Sequence, residues 1–165
     1  MYQPIQIGRA SVLFLKSRHD TDGAMDLFEM TLQPRCEQRV PHFHRDYDET
    51  VLGIDGTVHW CVNGKAEQLQ PGQQLLIPRG TPHSYSNPYP STARMLCIYT
   101  PGLVGPEYFR ELAQVFAAGG PPDIAAVASV MSRYGMIPAA TRRPAVARAT
   151  MQHHSLAELA LPGHQ

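Results

Sequence analysis

The stretch Pro41–Gly56, PHFHRDYDETVLGIDG, decides how the rest of the chain is interpreted. His42 and His44 are two residues apart in it, and in a β-strand this spacing places both imidazoles on one face. Glu49 follows after a gap of four residues. Imidazole nitrogens and a carboxylate oxygen suit a divalent first-row transition metal, so the stretch indicates a metal site.

A second polar cluster lies in Pro71–Asn87, PGQQLLIPRGTPHSYSN. Its histidine, His83, is flanked by strand-like sequence and turn glycines, so a strand laid alongside can bring it to His42 and His44. Three imidazoles and the Glu49 carboxylate leave positions open on a five- or six-coordinate metal, which a catalytic site needs and a structural site lacks. We therefore predict a metal site built from these four side chains.

The two clusters resemble the two sequence motifs of the cupin superfamily. The first motif is His-x-His, a gap of four, Glu, a gap of six and Gly; the second is Gly, a gap of five, Pro-x-Gly, a gap of two, His, a gap of three and Asn. The chain matches them at His42, His44, Glu49, Gly56, Gly72, Pro78, Gly80, His83 and Asn87. One position departs, because Cys36 stands where a glycine usually opens the first motif. That glycine is a turn residue, so the departure leaves the ligand set intact.

The resemblance implies a double-stranded β-helix barrel with one metal ion inside one end, held by His42, His44, Glu49 and His83. The metals of the family are iron, manganese, nickel, zinc, copper and cobalt, and the sequence does not choose among them. The segments TPG, PPD and RYG near the C-terminal helices are also similar to small single-domain cupins of the quercetin-dioxygenase-like group. The alternative is a cupin fold that keeps the histidines but holds no catalytic metal.

The strand pattern predicts a mainly all-β fold. Met25–Leu32 and Arg94–Thr100 alternate between two faces, and Asn63-Gly64 is typical of a type I′ hairpin turn. Many short strands at regular turn spacing indicate an antiparallel jelly roll over residues 1–104. Edge strands of such barrels pair between subunits in small cupins, so we expect a homodimer.

The composition changes after residue 104. Phe109, Leu112 and Phe116 recur at helical spacing, and Asp123 is a candidate N-cap for a second helix. We predict a two-helix extension over residues 105–137, packed on the barrel as a flap, with a lid over its mouth as the alternative. The remaining tail, residues 138–165, is expected to be loosely ordered or to wrap a partner subunit.

Composition limits the partners and the compartment. Lys plus Arg and Asp plus Glu both number 14, and a net charge of zero argues against nucleic acid or an anionic membrane as partner. Three cysteines without a C-x-x-C pair are typical of reduced thiols in a cytosolic protein. The N-terminus shows no signal-peptide pattern, so we expect a cytoplasmic location.

Several side chains are candidates for the pocket wall. The apolar strand faces offer Phe28, Met30, Trp60, Met95 and Tyr99. Tyr85 shares a face with His83 by alternation, and Tyr47 is expected at the pocket rim.

The leading functional hypothesis is a metal-dependent dioxygenase of an enol- or phenol-type small molecule. Glu49 would either stay bound to the metal or take a proton from the substrate hydroxyl. The first alternative is an oxygen-independent isomerase, lyase or cyclase that uses the same ligands. The second is a binding module for a small molecule that catalyses nothing, since one fold hosts many functions.

Overall fold

The computed structural model describes residues 2–37, 40–117 and 121–139, and this part of the chain forms twelve strands and two helices. The strands are β1 (Ile5–Ile7), β2 (Ala10–Lys16), β3 (Asp26–Leu32), β4 (Cys36–Glu37), β5 (His42–His44), β6 (Asp48–Asp55), β7 (Val58–Val62), β8 (Lys65–Leu69), β9 (Gln74–Ile77), β10 (His83–Asn87), β11 (Ala93–Thr100) and β12 (Met136–Pro138). The helices are α1 (Gly105–Ala117) and α2 (Ile124–Arg133).

The strands form two antiparallel sheets. The first has the order β1-β2-β3-β11-β6-β9, and the second has the order β12-β5-β10-β7-β8, with β4 also paired to β10. The chain crosses from one sheet to the other between β3 and β5 and again between β5 and β6. This confirms the predicted jelly-roll barrel and its mainly β composition.

Alternation along the long strands of the first sheet builds the core. In β3, every second side chain is buried, including Phe28 and Met30, and β11 buries Met95 and Tyr99 in the same way. Burial of such side chains stabilises the fold by about 1.5–3 kcal/mol each relative to exposure. The first sheet is therefore a continuous apolar wall of the barrel.

Two local features follow directly from residue type. Asn63 and Gly64 both have positive φ, 49° and 79°, which confirms the predicted hairpin turn between β7 and β8. Gly53 in mid-strand β6 has another cause, because a Cβ there would overlap the backbone carbonyl of Gln70. A glycine lets these two segments approach closely.

The helical extension joins the barrel at two places. Phe109 of α1 packs against Phe14 and Phe28 of the first sheet, with ring centroids 5.7 and 5.1 Å apart. The Asp123 carboxylate accepts hydrogen bonds from the Ala125 and Ala126 amides, which confirms the predicted N-cap of α2. No described helix is long and apolar enough to cross a membrane.

The chain after α2 differs from the prediction. Gly135, at φ 71°, turns it back, and β12 pairs with β5 beside the histidines. A strand of three residues is too short to give a periodic signal, so the sequence predicted only an extension ending near residue 137. The predicted tail lies, from residue 140 onward, outside the described residues.

Candidate metal centre and its cavity

Strand β5 places two imidazoles inside the barrel. Its three residues alternate, so His42 and His44 are buried, at 3% and 1% exposure, while Phe43 points the other way. The strand lies between β10 and β12, which fixes it on both sides. Two rings of one short strand therefore face the same interior space.

The other two predicted donors come from different elements. In the antiparallel pairing of β10 with β5, His83 lies directly opposite His42. Glu49 comes from β6 in the other sheet, between Tyr99 and Ile77. The structure thus brings the four side chains together across the barrel, with the carboxylate facing the imidazoles from the opposite wall.

The donor atoms converge closely. The Nε2 atoms of His42 and His44 are 3.3 Å apart, and candidate ligand atoms of His42, His44 and His83 all lie within 4.8 Å of one another. Oε2 of Glu49 lies 3.4 Å from Nε2 of His83 and 3.9 Å from Nε2 of His44. The three histidines could hold a metal ion, with the carboxylate within reach of two of them.

Backbone carbonyls orient two of the rings. Nδ1 of His42 lies 3.2 Å from the Val40 carbonyl, and Nδ1 of His83 lies 2.9 Å from the Thr81 carbonyl. When Nδ1 donates its proton to a carbonyl, Nε2 is left with a lone pair for a metal. The buried Nε2 of His83 has no hydrogen-bond partner among the described residues. Since a buried polar atom without a partner is destabilising, the donor set fits a bound cation.

Burial also sets the protonation state of the rings. It lowers the pKa of His42 to about 3, with a further contribution from the charge of nearby His83. Burial likewise lowers the pKa of His44 far below its ordinary value, helped by His42 and His83. Both imidazoles are therefore neutral at physiological pH, which is the form that binds a metal.

Aromatic side chains surround the imidazoles. Tyr47 stacks on His44 with ring centroids 4.4 Å apart, and Tyr99 meets the same ring edge-on at 5.2 Å. Trp60 lies 6.1 Å from His83. These rings exclude water from the back of the site, so electrostatic interactions there are strengthened.

A cavity of about 350 Å³ extends from His42 to the two helices. Its walls are mainly apolar, with Val127 and Met131 of α2 on one side and Val12 and Leu32 of the barrel on the other. This volume lies in the range of small-molecule sites. The extension therefore forms a wall of the cavity that reaches the histidines.

The predicted pocket residues separate into two groups. Met30, Tyr85 and Tyr99 line the cavity. Tyr47, Phe28, Trp60 and Met95 are buried and do not line it. Tyr47 lies behind His44 rather than at the rim, because β6 begins at the next residue and turns the ring inward.

Sequence reasoning also missed a polar brace beside the site. Asp48, treated as a solvated turn residue, accepts hydrogen bonds from the Arg79 amide, Nε and Nη2 at 2.8, 3.1 and 3.0 Å. In the same turn, the Gly80 amide donates to the His44 carbonyl at 2.7 Å. The turn that delivers His83 is thereby tied to the segment that carries the other donors. The pattern of one aspartate and one distant arginine gave no signal for this pairing.

Comparison with known proteins places the same stretch in one family. A family model described as a cupin domain matches residues 28–99. An uncharacterized protein of Aquifex aeolicus (strain VF5) is 30% identical over 104 residues, which are 58% of this chain and 85% of that protein. Quercetin 2,3-dioxygenase of Bacillus subtilis (strain 168) is 32% identical over 83 residues, 50% of this chain. These residues span only 24% of the Bacillus enzyme.

Solved structures repeat the architecture. The polyketide cyclase RemF of Streptomyces resistomycificus aligns with a TM-score of 0.54 at 22% identity, covering 60% of this chain and 73% of that one. At this identity the likeness concerns the fold alone.

Proposed function

This chain belongs to the cupin superfamily, and on that basis we propose that it is a metal-dependent enzyme that dioxygenates a small enol- or phenol-type molecule. One observation carries the proposal: three neutral imidazoles and a carboxylate converge beside a mainly apolar cavity of small-molecule size. The partial likeness to quercetin 2,3-dioxygenase supports the choice of oxygen chemistry.

His42, His44, Glu49 and His83 would hold the metal ion. When bound, a divalent transition metal would supply Lewis acidity and a path for electrons between substrate and dioxygen. Its identity is left open among iron, nickel, manganese, zinc, copper and cobalt.

Glu49 is the proposed general base. Its carboxylate is buried, at 3% exposure, and belongs to the sheet opposite the imidazoles. In this role Oε2 accepts the proton of the substrate hydroxyl, which makes the substrate oxygen a better electron donor.

The tyrosines at the cavity wall orient the substrate. Burial raises the pKa of both Tyr85 and Tyr99 well above the ordinary value, so both hydroxyls keep their protons at physiological pH. A protonated phenol can donate a hydrogen bond to a substrate oxygen. The apolar walls exclude bulk water from the reacting end.

The test is dioxygen uptake by protein purified without an affinity tag and reconstituted with iron or nickel. Flavonols, β-diketones and catechols are offered in air and under nitrogen. The proposal expects substrate-dependent uptake that is lost in His83→Ala and kept in His19→Ala, because His19 is an exposed residue paired with Glu107.

Other outcomes identify the alternatives. Turnover under nitrogen would indicate an isomerase, lyase or cyclase. Absence of uptake and turnover with all substrates, in fully metal-loaded protein, would favour a binding module. The homodimer and the cytoplasmic location stay predictions, and sedimentation at micromolar concentration would test the first.

A further inference from the structure

The cavity has charge of one sign at one corner. Arg9 and Arg35 line it, and no carboxylate does so among the side chains that the structure describes. Most of the other lining residues are apolar. An apolar chamber with two cations and no counter-charge attracts an anion.

The two arginines come from adjacent chain segments. Nε and Nη2 of Arg9 donate to the Pro34 carbonyl at 3.1 and 2.6 Å, and Pro34 directly precedes Arg35. The Gln33 amide donates to the Arg9 carbonyl at 2.9 Å. The start of β2 and the turn between β3 and β4 therefore form one corner.

Neither guanidinium forms an ion pair with a described acidic side chain. Three other arginines do, since Arg79 pairs with Asp48, Arg94 with Glu29 and Arg133 with Glu111. The contrast indicates that the charges at the cavity corner are available to a ligand.

The backbone of Arg35 supports the same interpretation. Its φ is 56°, in the left-handed region where glycine is relaxed and a long side chain is strained. The Arg35 amide donates to the Tyr89 carbonyl at 3.3 Å, which helps to hold this conformation. An unfavourable residue kept beside a cavity points to function at that residue.

We propose that Arg9 and Arg35 form an anion subsite, and that the ligand is an organic acid with an apolar body. A guanidinium binds a carboxylate through paired, charge-assisted hydrogen bonds, while the apolar walls accept the body. The orientation rests on the proposed function: the charged group lies at the arginine corner and the reacting group faces His42.

The experiment compares two probes of one shape. Naphthalene-2-carboxylate and naphthalene-2-methanol are titrated calorimetrically into the full-chain protein at low ionic strength. The acid should bind about tenfold more tightly than the alcohol, which is the ratio expected for one charge-assisted interaction. Added salt should weaken binding of the acid alone.

Arg35→Gly is the sharpest variant. It removes the cation and relaxes the backbone, so its melting temperature should equal or exceed that of the unaltered protein. Its affinity for the acid should fall about tenfold, while its affinity for the alcohol stays unchanged. Arg9→Gln should show the same selectivity loss.

The matched control is Arg110→Gln, because Arg110 is an exposed arginine of α1 outside the cavity lining. It should leave both affinities unchanged. Equal binding of the two probes, binding of neither, or unaltered acid affinity in both cavity variants would overturn the proposal.

His83→Ala separates the subsite from the metal centre. If the acid preference persists in that variant, the guanidinium groups and not a metal supply it. Acid selectivity without dioxygen uptake would leave the subsite standing and remove the dioxygenase. Uptake with neutral substrates, unchanged in Arg35→Gly, would do the reverse.

Discussion

The metal centre and the helical wall lie at two ends of one cavity, but different interactions build them. At the metal centre, positions are set by individual atoms: His83 is in register with His42, and backbone carbonyls lie at Nδ1 of both rings. At the helical wall, Phe109 and Met131 are held by buried apolar contact. The first kind of construction fixes directions, and the second fixes a surface.

This difference teaches how the two ends should respond to substitution. Loss of one donor atom at the metal centre removes a coordination bond without a large change in packing. Loss of one ring at the helical wall leaves a void that the surrounding side chains fill only in part. Metal affinity and free energy of unfolding should therefore respond to different residues.

The largest effect is expected for His83→Ala. Metal affinity should fall by more than about 100-fold, because residues that merely orient ligands are already worth about 10- to 100-fold. Metal content by mass spectrometry and a competition titration measure it. His19→Ala is the control, since that ring is 53% exposed. Near-stoichiometric metal in His83→Ala would show that this histidine is not a ligand.

Phe109→Ala tests the other end. The ring contacts Phe14 and Phe28, so its loss should lower the free energy of unfolding by about 3–5 kcal/mol. Urea unfolding of the metal-free protein measures this, with Leu76→Ala, 62% exposed, as a control expected within about 0.5 kcal/mol.

The same variant can break the comparison. Ring contacts run from Phe109 to Phe28, from Phe28 to Tyr99 and from Tyr99 to His44, with centroids 5.1, 5.0 and 5.2 Å apart. If the two ends are independent, metal affinity in Phe109→Ala is unchanged. A parallel loss of metal affinity would show that packing at the helices positions the imidazole.

Arg79→Gln should have a smaller effect, at the metal centre alone. The Arg79 guanidinium donates twice to Asp48, and this brace ties the turn before His83 to the start of β6. We expect about a tenfold loss of metal affinity, as for other outer-shell groups. The half-exposed pair should change the unfolding free energy by less than about 1 kcal/mol.

Arg79→Lys sharpens the interpretation. A lysine keeps the charge but cannot reproduce the two-pronged contact, so it should lose affinity much as glutamine does. Restored affinity in the lysine variant would mean that charge, and not geometry, acts on the site. An unchanged affinity in both variants would show that the brace does not position His83.

The comparison also explains what the sequence could predict. His42, His44, Glu49 and His83 have fixed spacings within two short segments, so a pattern of residue types suffices to find them. The barrel follows from alternation in strands such as β3 and β11. Both signals are local, and the fold keeps them.

Properties that depend on which interior surface a side chain reaches were not predictable. Alternation places Phe28 and Trp60 inside, but it does not separate the core from the cavity wall. The pairing of Met136–Pro138 with β5, the brace at Asp48 and the position of Arg35 at the cavity arise only when distant segments meet. No period in the sequence encodes them.

The smallest effect concerns the polar link between the helices. Glu111 of α1 accepts hydrogen bonds from the Tyr134 hydroxyl, at 2.6 Å, and from Arg133. The Tyr134 hydrogen bond, followed by the Arg133 interactions, lowers the pKa of Glu111 below its ordinary value of 4.5. A carboxyl group that is more acidic in the folded state stabilises the fold above its ordinary pKa, and this stabilisation is lost as pH falls through the lower, folded value.

Glu111→Gln should therefore be slightly less stable than the unaltered protein at neutral pH, and the difference should shrink as pH falls below about 4.5. Melting temperatures of metal-free protein from about pH 3 to 8 measure it, with the exposed Glu67→Gln on β8 as the control. Metal affinity at neutral pH should not change. A difference that grows toward acid would mean that the carboxylate destabilises the helix pair. A loss of metal affinity would show that even this exposed link between α1 and α2 reaches the imidazoles.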